Sequence, residues 1–383
     1  MDYLLASSTL VEAAIDICYA PFEHNSYTRR EHKVCQALES PILGVRITRM
    51  NNAPSHTIIN LTAVIVAVTD NRPRVLIVDQ DGFGLPNGPF DPRQHDSLES
   101  GLRQWVEAQT GLDLYYVEQL YTFGNRYRDP IEIQGGPRVV SVAYIALTHE
   151  DAVDTPDAQW LDWYSFLPWE DWRTGIPALI GEHIEPALKR WVKRSKCKST
   201  RQQRQDRVNV AFGLSPTADM DGVLSLERFE LLYNANLVFE ALRDKYAKNQ
   251  KQDTSTHDTN FANGDMGESL TSDHRRILAT ALGRLRGKLA YRPVVFELLP
   301  GEFTLLQLQR VVEALSGAKL HKQNFRRLVT NGEFVEPVGR TSHIGKGRPA
   351  ELFRFRREVL GETKTVGLSR PIMKSDTIDK HYQ

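Results

Sequence analysis

The 383-residue chain has little cysteine: Cys18, Cys35 and Cys197 stand apart, without the paired spacing of a zinc site or a disulfide framework. That points to a reducing compartment. No apolar run is long enough to span a bilayer, and the amino terminus, with Asp2 and Glu12, lacks the basic start and apolar core of a secretory signal. The expectation is a cytoplasmic protein with no membrane partner. Net charge is absent too, 48 Lys and Arg balancing 48 Asp and Glu. The balance conceals a division. Residues 273–358 hold 17 basic against 8 acidic side chains, a local +9, whereas residues 1–272 carry −10. A polyanion is therefore expected to meet the carboxy-terminal part only. What is present, 41% hydrophobic and 25% charged residues, suits an ordinary globular chain of two or three domains.

Residues 85–112, LPNGPFDPRQHDSLESGLRQWVEAQTGL, organise the first half of the chain. Leu98, Leu102, Trp105, Val106 and Gln109 recur at helical spacing, Asp96-Ser97 suits an N-terminal cap, and Thr110-Gly111 a C-terminal stop. Pro86, Gly88, Pro89 and Pro92 keep the approach irregular. The stretch resembles a Nudix box, in which Arg-Glu-x-x-Glu-Glu-x-Gly runs along a helix. Aligned on Gly111, the arginine position holds Gln104 and the three glutamate positions hold Trp105, Ala108 and Gln109, while the loop from Gly88 to Asp96 is two residues too long. Magnesium needs hard oxygen ligands, and pyrophosphate hydrolysis uses the ion to activate water. Trp105 and Ala108 have no side-chain oxygen and Gln109 only a neutral amide, so neither catalytic residues nor a metal site is expected. Glu99, Arg103 and Glu107 read as a solvated face with helix ion pairs.

Around this helix the pattern predicts strands over 57–68, 74–79, 114–122, 139–147 and 157–164, and a closing helix over 177–194. With that helix they fit a Nudix-like α/β/α sandwich spanning 57–194. Residues 1–56 form an amino-terminal extension, partly helical through Leu10, Ala13, Ala14, Ile17 and Ala20. Residues 195–272 begin within a basic run from Lys189 to Arg207, continue as one amphipathic helix over 224–245, and end in a polar segment, 248–272, expected to be a flexible linker. The basic run reads as a solvated helix end, with DNA-backbone contact as the alternative.

A second domain spans 273–360, before a tail of 361–383. Asp273 and Thr304 suit helix caps, Ser316-Gly317 a stop, and 320–331 a third helix ended by Gly332. Two short strands, 333–338 and 351–355, flank a glycine-rich basic hairpin. This is the order of a winged helix-turn-helix. Leu320, Phe325 and Leu328 can pack, which leaves Lys322, Gln323, Asn324, Arg326 and Arg327 for the major groove and Arg340, Lys346 and Arg348 for backbone or minor-groove contact. The fold class is thus α/β and α+β, in several domains.

The combination resembles the Nudix-related transcriptional regulators of NAD metabolism. The resemblance rests on stretches including 118–124, 128–130, 139–144, 296–300, 324–327 and 347–350, and on the lost box, which is similar to the alphaproteobacterial branch of de novo NAD synthesis regulators. It implies a homodimeric repressor of NAD-biosynthesis genes on a palindromic operator. It also implies no required cofactor and an adenine nucleotide (NAD, ATP or ADP-ribose) sensed by the Nudix-like domain. Loop residues Arg126 and Arg128 are candidates for the effector's phosphates. Tyr121 and Phe123 can stack on a base or fill the core, and strand alternation is expected to send one of them inward. The rival reading is a nucleotide pyrophosphohydrolase with non-standard metal ligands and a fused nucleic-acid-binding domain.

Overall fold

Strand alternation builds the central sheet. The computed structural model describes residues 57–80, 82–150, 153, 155–213, 222–249, 266–289, 294–342 and 349–356. Along β1 (Thr57–Thr69), Ala63 and Ile65 face one side and Val64 and Val66 the other, and all four are fully buried. A strand apolar on both faces belongs inside a sheet covered on both sides. β1 runs antiparallel to β2 (Arg72–Asp79) and parallel to β6 (Arg138–Leu147), in register from Thr57–Arg138 to Val66–Leu147. β3 (Phe83–Gly84) and β5 (Tyr116–Phe123) extend the two edges, giving the order β3-β2-β1-β6-β5. β4 (Asn87–Pro89) joins β1, and β7 (Ala158–Asp162) joins β2.

One face is covered by α1 (Leu98–Thr110), whose Leu102 and Val106 pack on Leu61, Ala63 and Ile65. Ser97 and Ser100 cap the helix reciprocally, and Gly111, at φ 74°, ends it. A four-residue turn of helix, α2 (Pro130–Ile133), follows β5. The other face carries α3 (Trp163–Phe166) and α4 (Glu185–Lys193), and behind them α5 (Lys198–Phe212), α6 (Ser225–Asn234) and α7 (Phe239–Asn249). Its centre is α8 (His274–Leu289), in which 13 residues are buried, too many for an ordinary surface helix. The architecture is the Nudix-like sandwich, mixed rather than parallel. The winged helix follows as α9 (Leu305–Ser316), α10 (Lys322–Asn331), β8 (Val335–Ser342) and β9 (Ala350–Phe355).

Four expectations need correction. The strand over 157–164 stops at Asp162, where Asp162 accepts from the Tyr164 backbone N–H and starts α3. The single helix over 224–245 is two, broken where Asn236 adopts φ 57°. The last part of the expected linker is packed: Met266 and Leu270 are buried, and Arg275 donates to the carbonyls of Met266, Gly267 and Glu268. Finally, 273 is no gap in the packing, because one apolar cluster runs from Val64 through α8 to Leu308, Phe325 and Phe334. The amino-terminal extension, the tail, residues 250–265, Lys346 and Arg348 lie outside the described residues.

Glu170, fully buried in a turn of 3-10 helix (Pro168–Glu170), joins these parts. Its carboxylate accepts from Arg228 of α6 at 2.8 Å, from Ser225 at 3.0 Å and from Arg286 of α8. Burial pushes the Glu170 pKa up, but the two guanidiniums outweigh that and hold it below the ordinary carboxylate value. Arg286 also donates to the carbonyls of Glu170 at 2.9 Å and Leu315 at 3.2 Å, while the Tyr164 hydroxyl donates to Ala314 at 2.7 Å. The end of α9 is thereby tied to the sandwich. Replacing Glu170 with Gln removes the buried carboxylate that Arg228 and Arg286 share and is expected to cost roughly 3–5 kcal/mol in urea unfolding. Glu99→Gln, which removes only the exposed Glu99–Arg103 pair, is expected to cost under about 1 kcal/mol.

Candidate functional site

The winged helix presents its reading surface through a turn held from within. In the turn between α9 and α10, Gln309 donates to the Leu320 carbonyl at 3.1 Å and the Leu320 N–H donates to Glu313 at 2.9 Å. Phe325 and Val329 anchor α10 in the core, with Leu328 half-buried beside them. Lys322, Gln323, Asn324, Arg326 and Arg327 are all exposed on the opposite face. No carboxylate lies in the first turn of α10, so its positive end is free to meet phosphate. The expected division of the helix therefore holds, with Val329 added to its packed side. β8 and β9 pair antiparallel as the wing, and Phe303 and Phe353 exchange backbone hydrogen bonds at 2.8 and 2.9 Å to fasten it to the helices. Arg340 is exposed on β8 and touches Glu302.

Residues 295–355 match the family model of the NrtR DNA-binding winged helix domain. The carboxy-terminal domain is a winged helix similar to that of this family. Over 86 residues the chain is 38% identical to the ADPR responsive transcriptional repressor NtrR of Acinetobacter baylyi, a match covering 22% of this chain and 34% of that repressor's length. A crystal structure of Shewanella oneidensis NrtR complexed with a 27mer DNA is 20% identical with a TM-score of 0.46, covering 78% of this chain and 93% of that one. A cocrystal structure of the NUDIX domain of the same protein with ADP ribose is 26% identical with a TM-score of 0.27, over 31% of this chain and 82% of that one.

Ahead of the winged helix, the α1 positions that would carry metal ligands in a Nudix box form a clamp instead. The Trp105 indole donates to the Pro89 carbonyl at 3.0 Å, and its ring lies so close to Gly88 that a Cβ there would fall 2.2 Å away. The Gln109 amide donates to the Asn87 carbonyl at 2.7 Å and accepts from the Asn87 N–H at 3.0 Å. Ala108 faces outward. These side chains do not fit a magnesium ion, because one neutral amide oxygen, already accepting, is the whole oxygen set. Among the described residues no group of three or more His, Cys, Asp or Glu could hold a metal.

The four candidate effector residues separate. Arg126 is well exposed on the loop after β5, 3.9 Å from Glu132. Arg128 is largely buried: it pairs with Glu230 at 2.6 Å and Asp273 at 3.7 Å, and lies 3.6 Å from the Tyr233 ring centre. Its charge is already matched inside the protein. Tyr121 is exposed and Phe123 buried, yet not by alternation, since residues two apart share a face. Their rings meet at 5.1 Å, and Arg276 covers Phe123.

Sequence reasoning missed the residues that fasten this region to α8. Arg276 donates to Asn125 at 3.0 Å, and the buried His274 accepts the Leu85 N–H on Nδ1 at 3.1 Å. No periodicity signals such pairs. Burial, aided by the charge of Arg243, pushes the His274 pKa down to about 4. An unfolded chain takes up this proton near pH 6.5 while the folded one does not, so stability is lost as pH falls from about 6.5 to 4. Burial pushes Asp273 up to about 6 despite Arg276 and Arg128, which acts in the opposite sense between about 4 and 6.

Two expectations follow. Removing the imidazole by His274→Gln should flatten the acid side of the melting profile, by on the order of 3 kcal/mol between pH 6.5 and 4. Arg326→Ala or Arg327→Ala should cost roughly 1–3 kcal/mol in duplex binding and relax base preference at one position, as read by anisotropy on single-base operator variants.

Proposed function

We propose that the chain is a transcriptional repressor of NAD-biosynthesis genes whose Nudix-like domain senses an adenine nucleotide without cleaving it. One observation carries the reading: a winged helix with an exposed basic reading helix is packed, through a shared apolar cluster and buried hydrogen bonds to Ala314 and Leu315, onto a Nudix-like sheet whose box positions hold Trp105, Ala108 and Gln109. Among NAD, ATP and ADP-ribose, the name of the Acinetobacter repressor favours ADP-ribose. Arg126, with the exposed Tyr121 beside the same loop, is the expected contact for phosphate and base. A homodimer reading a palindrome would place its two half-sites about one helical turn apart, or a multiple of it.

Helix α8 supplies a route between the two functions. Its first turn holds the box loop through His274–Leu85 and the 124–130 loop through Arg276–Asn125 and Asp273–Arg128. Near its far end Arg286 holds Glu170 and the Leu315 carbonyl. A nucleotide that moves either loop acts on one end of a rod about 24 Å long whose other end touches the turn before the reading helix. Coupling requires different nucleotide affinities in the free and DNA-bound states.

The reading is tested by titrating NAD, ATP and ADP-ribose against promoter affinity, with direct calorimetry in parallel. At least one is expected to bind below millimolar concentration, equally well with a chelator present, and to change promoter affinity. Arg276→Ala is expected to leave nucleotide binding within a few-fold while shrinking that change. Steady magnesium- or manganese-dependent turnover of ADP-ribose or NADH, abolished by chelator, would falsify the non-enzymatic reading and favour the hydrolase.

A further inference from the structure

Between Pro186 and Gln205 the chain carries eight lysines and arginines and no carboxylate. The fold makes that run the corner between α4 and α5. The apolar side of α4 is turned inward through Ala187, Leu188 and Val192, and Ser195 at the corner is buried as well. Arg190, Lys193, Arg194, Lys196, Lys198 and Arg201 all face outward. The corner is braced from its own side: Arg201 donates to the Ser195 carbonyl at 2.9 Å, and Arg204 donates to the Trp191 carbonyl at 2.7 Å while lying over its ring.

Helix stability accounts for part of this charge only. Arg190 and Lys193 sit in the last turn of α4, where cations suit the negative end of the dipole. Lys198 and Arg201 sit in the first turn of α5, which has no acidic residue and where the dipole disfavours cations. Lys189 is bridged to Glu185 at i,i+4, while its other i,i+4 neighbour, Lys193, and the pair Arg190 with Arg194 place like charges together. Beyond the Lys189–Glu185 bridge at 2.6 Å, the fold therefore carries at this corner a concentration of exposed positive charge that helix stability does not require.

The chemistry of the corner selects among polyanions. A membrane surface would need apolar side chains beside the cations, and here Val192 is buried and Trp191 is covered by Arg204. Single-stranded nucleic acid would need open aromatic platforms, and the covered Trp191 is not one. An acidic protein partner would need a desolvated apolar centre for affinity. Cations arrayed along two helices, without apolar or aromatic groups between them, match a regular line of phosphates, of which each strand of duplex DNA presents one per about 3.4 Å of helix axis. The same chain already carries a winged helix of a DNA-binding family.

We propose that the α4–α5 corner is a second contact surface for the phosphate backbone of duplex DNA, distinct from the winged helix and indifferent to sequence. The test uses the full chain with Lys193, Lys196 and Lys198 all changed to Gln, and measures affinity for a long random-sequence duplex against salt. The expected result is a log–log salt slope flatter by about 2 to 3, and an affinity at low salt reduced by on the order of tenfold, equally on random and promoter duplexes. Changing the same three residues to Arg should preserve both, which keeps the result interpretable if the Gln variant melts early. Placing the Gln changes on Arg326→Ala separates the surfaces: base preference is lost through Arg326, and the slope still flattens. An unchanged slope and affinity in a variant of unchanged melting temperature overturns the proposal. So does a loss confined to single-stranded RNA or to vesicles of anionic lipid.

Discussion

A carboxylate taken wholly out of water has to be met by positive charge, and Glu170 meets it twice. Arg228 and Arg286 come from helices 58 and 116 residues further along the chain. An ion pair of this kind adds little net stability, because desolvating three charges costs nearly what their attraction returns. Its effect is on geometry. A guanidinium that satisfies a buried carboxylate has few alternative positions, so α6, α8 and the end of α9 are held in one mutual arrangement. The apolar cluster beneath them supplies cohesion without direction, since hydrophobic contact is not orienting. The buried charges supply the direction.

The box helix shows the same separation of roles. In this chain the helix still lies on its sheet face, capped by Ser97 and stopped by Gly111, with Leu102 and Val106 in the core. None of those features involves the positions that would carry metal ligands. Those positions have instead been used to fasten the preceding loop, through the Trp105 indole on Pro89 and the Gln109 amide on Asn87. Holding the helix and holding an ion are thus independent demands on the same residues, and the second can be dropped while the first is strengthened.

What could be read from the chain and what could not divides by distance along it. The box helix and the reading helix were legible because caps, glycine stops and apolar spacing are local signals. So was the exposure of Lys322, Gln323, Asn324, Arg326 and Arg327, which follows from where Phe325 points. Arg128 was not legible, since its partner Glu230 lies 102 residues away, and nothing in the loop distinguishes it from the exposed Arg126. The break at Asn236 escaped notice because a left-handed asparagine leaves the apolar spacing on either side nearly intact. The segment before α8 reads as polar, yet Met266 and Leu270 suffice to pin it down. Periodicity reports which face of an element is buried, but not what it is buried against.

Gly317 carries a consequence for how such chains can be recombined. It sits just after α9 at φ 70°, and a Cβ there would fall 2.4 Å from both the Glu170 carbonyl and the Arg286 guanidinium. Its own carbonyl accepts the Trp172 N–H at 2.7 Å. The backbone of the turn is thus a docked surface of the sandwich as well as a link within the winged helix. A winged helix from a relative cannot be grafted onto this body as a cassette cut at a linker. A workable exchange has to keep a glycine at this position and carry the 164–172 segment along with it, so the unit of recombination is larger than the domain that reads DNA.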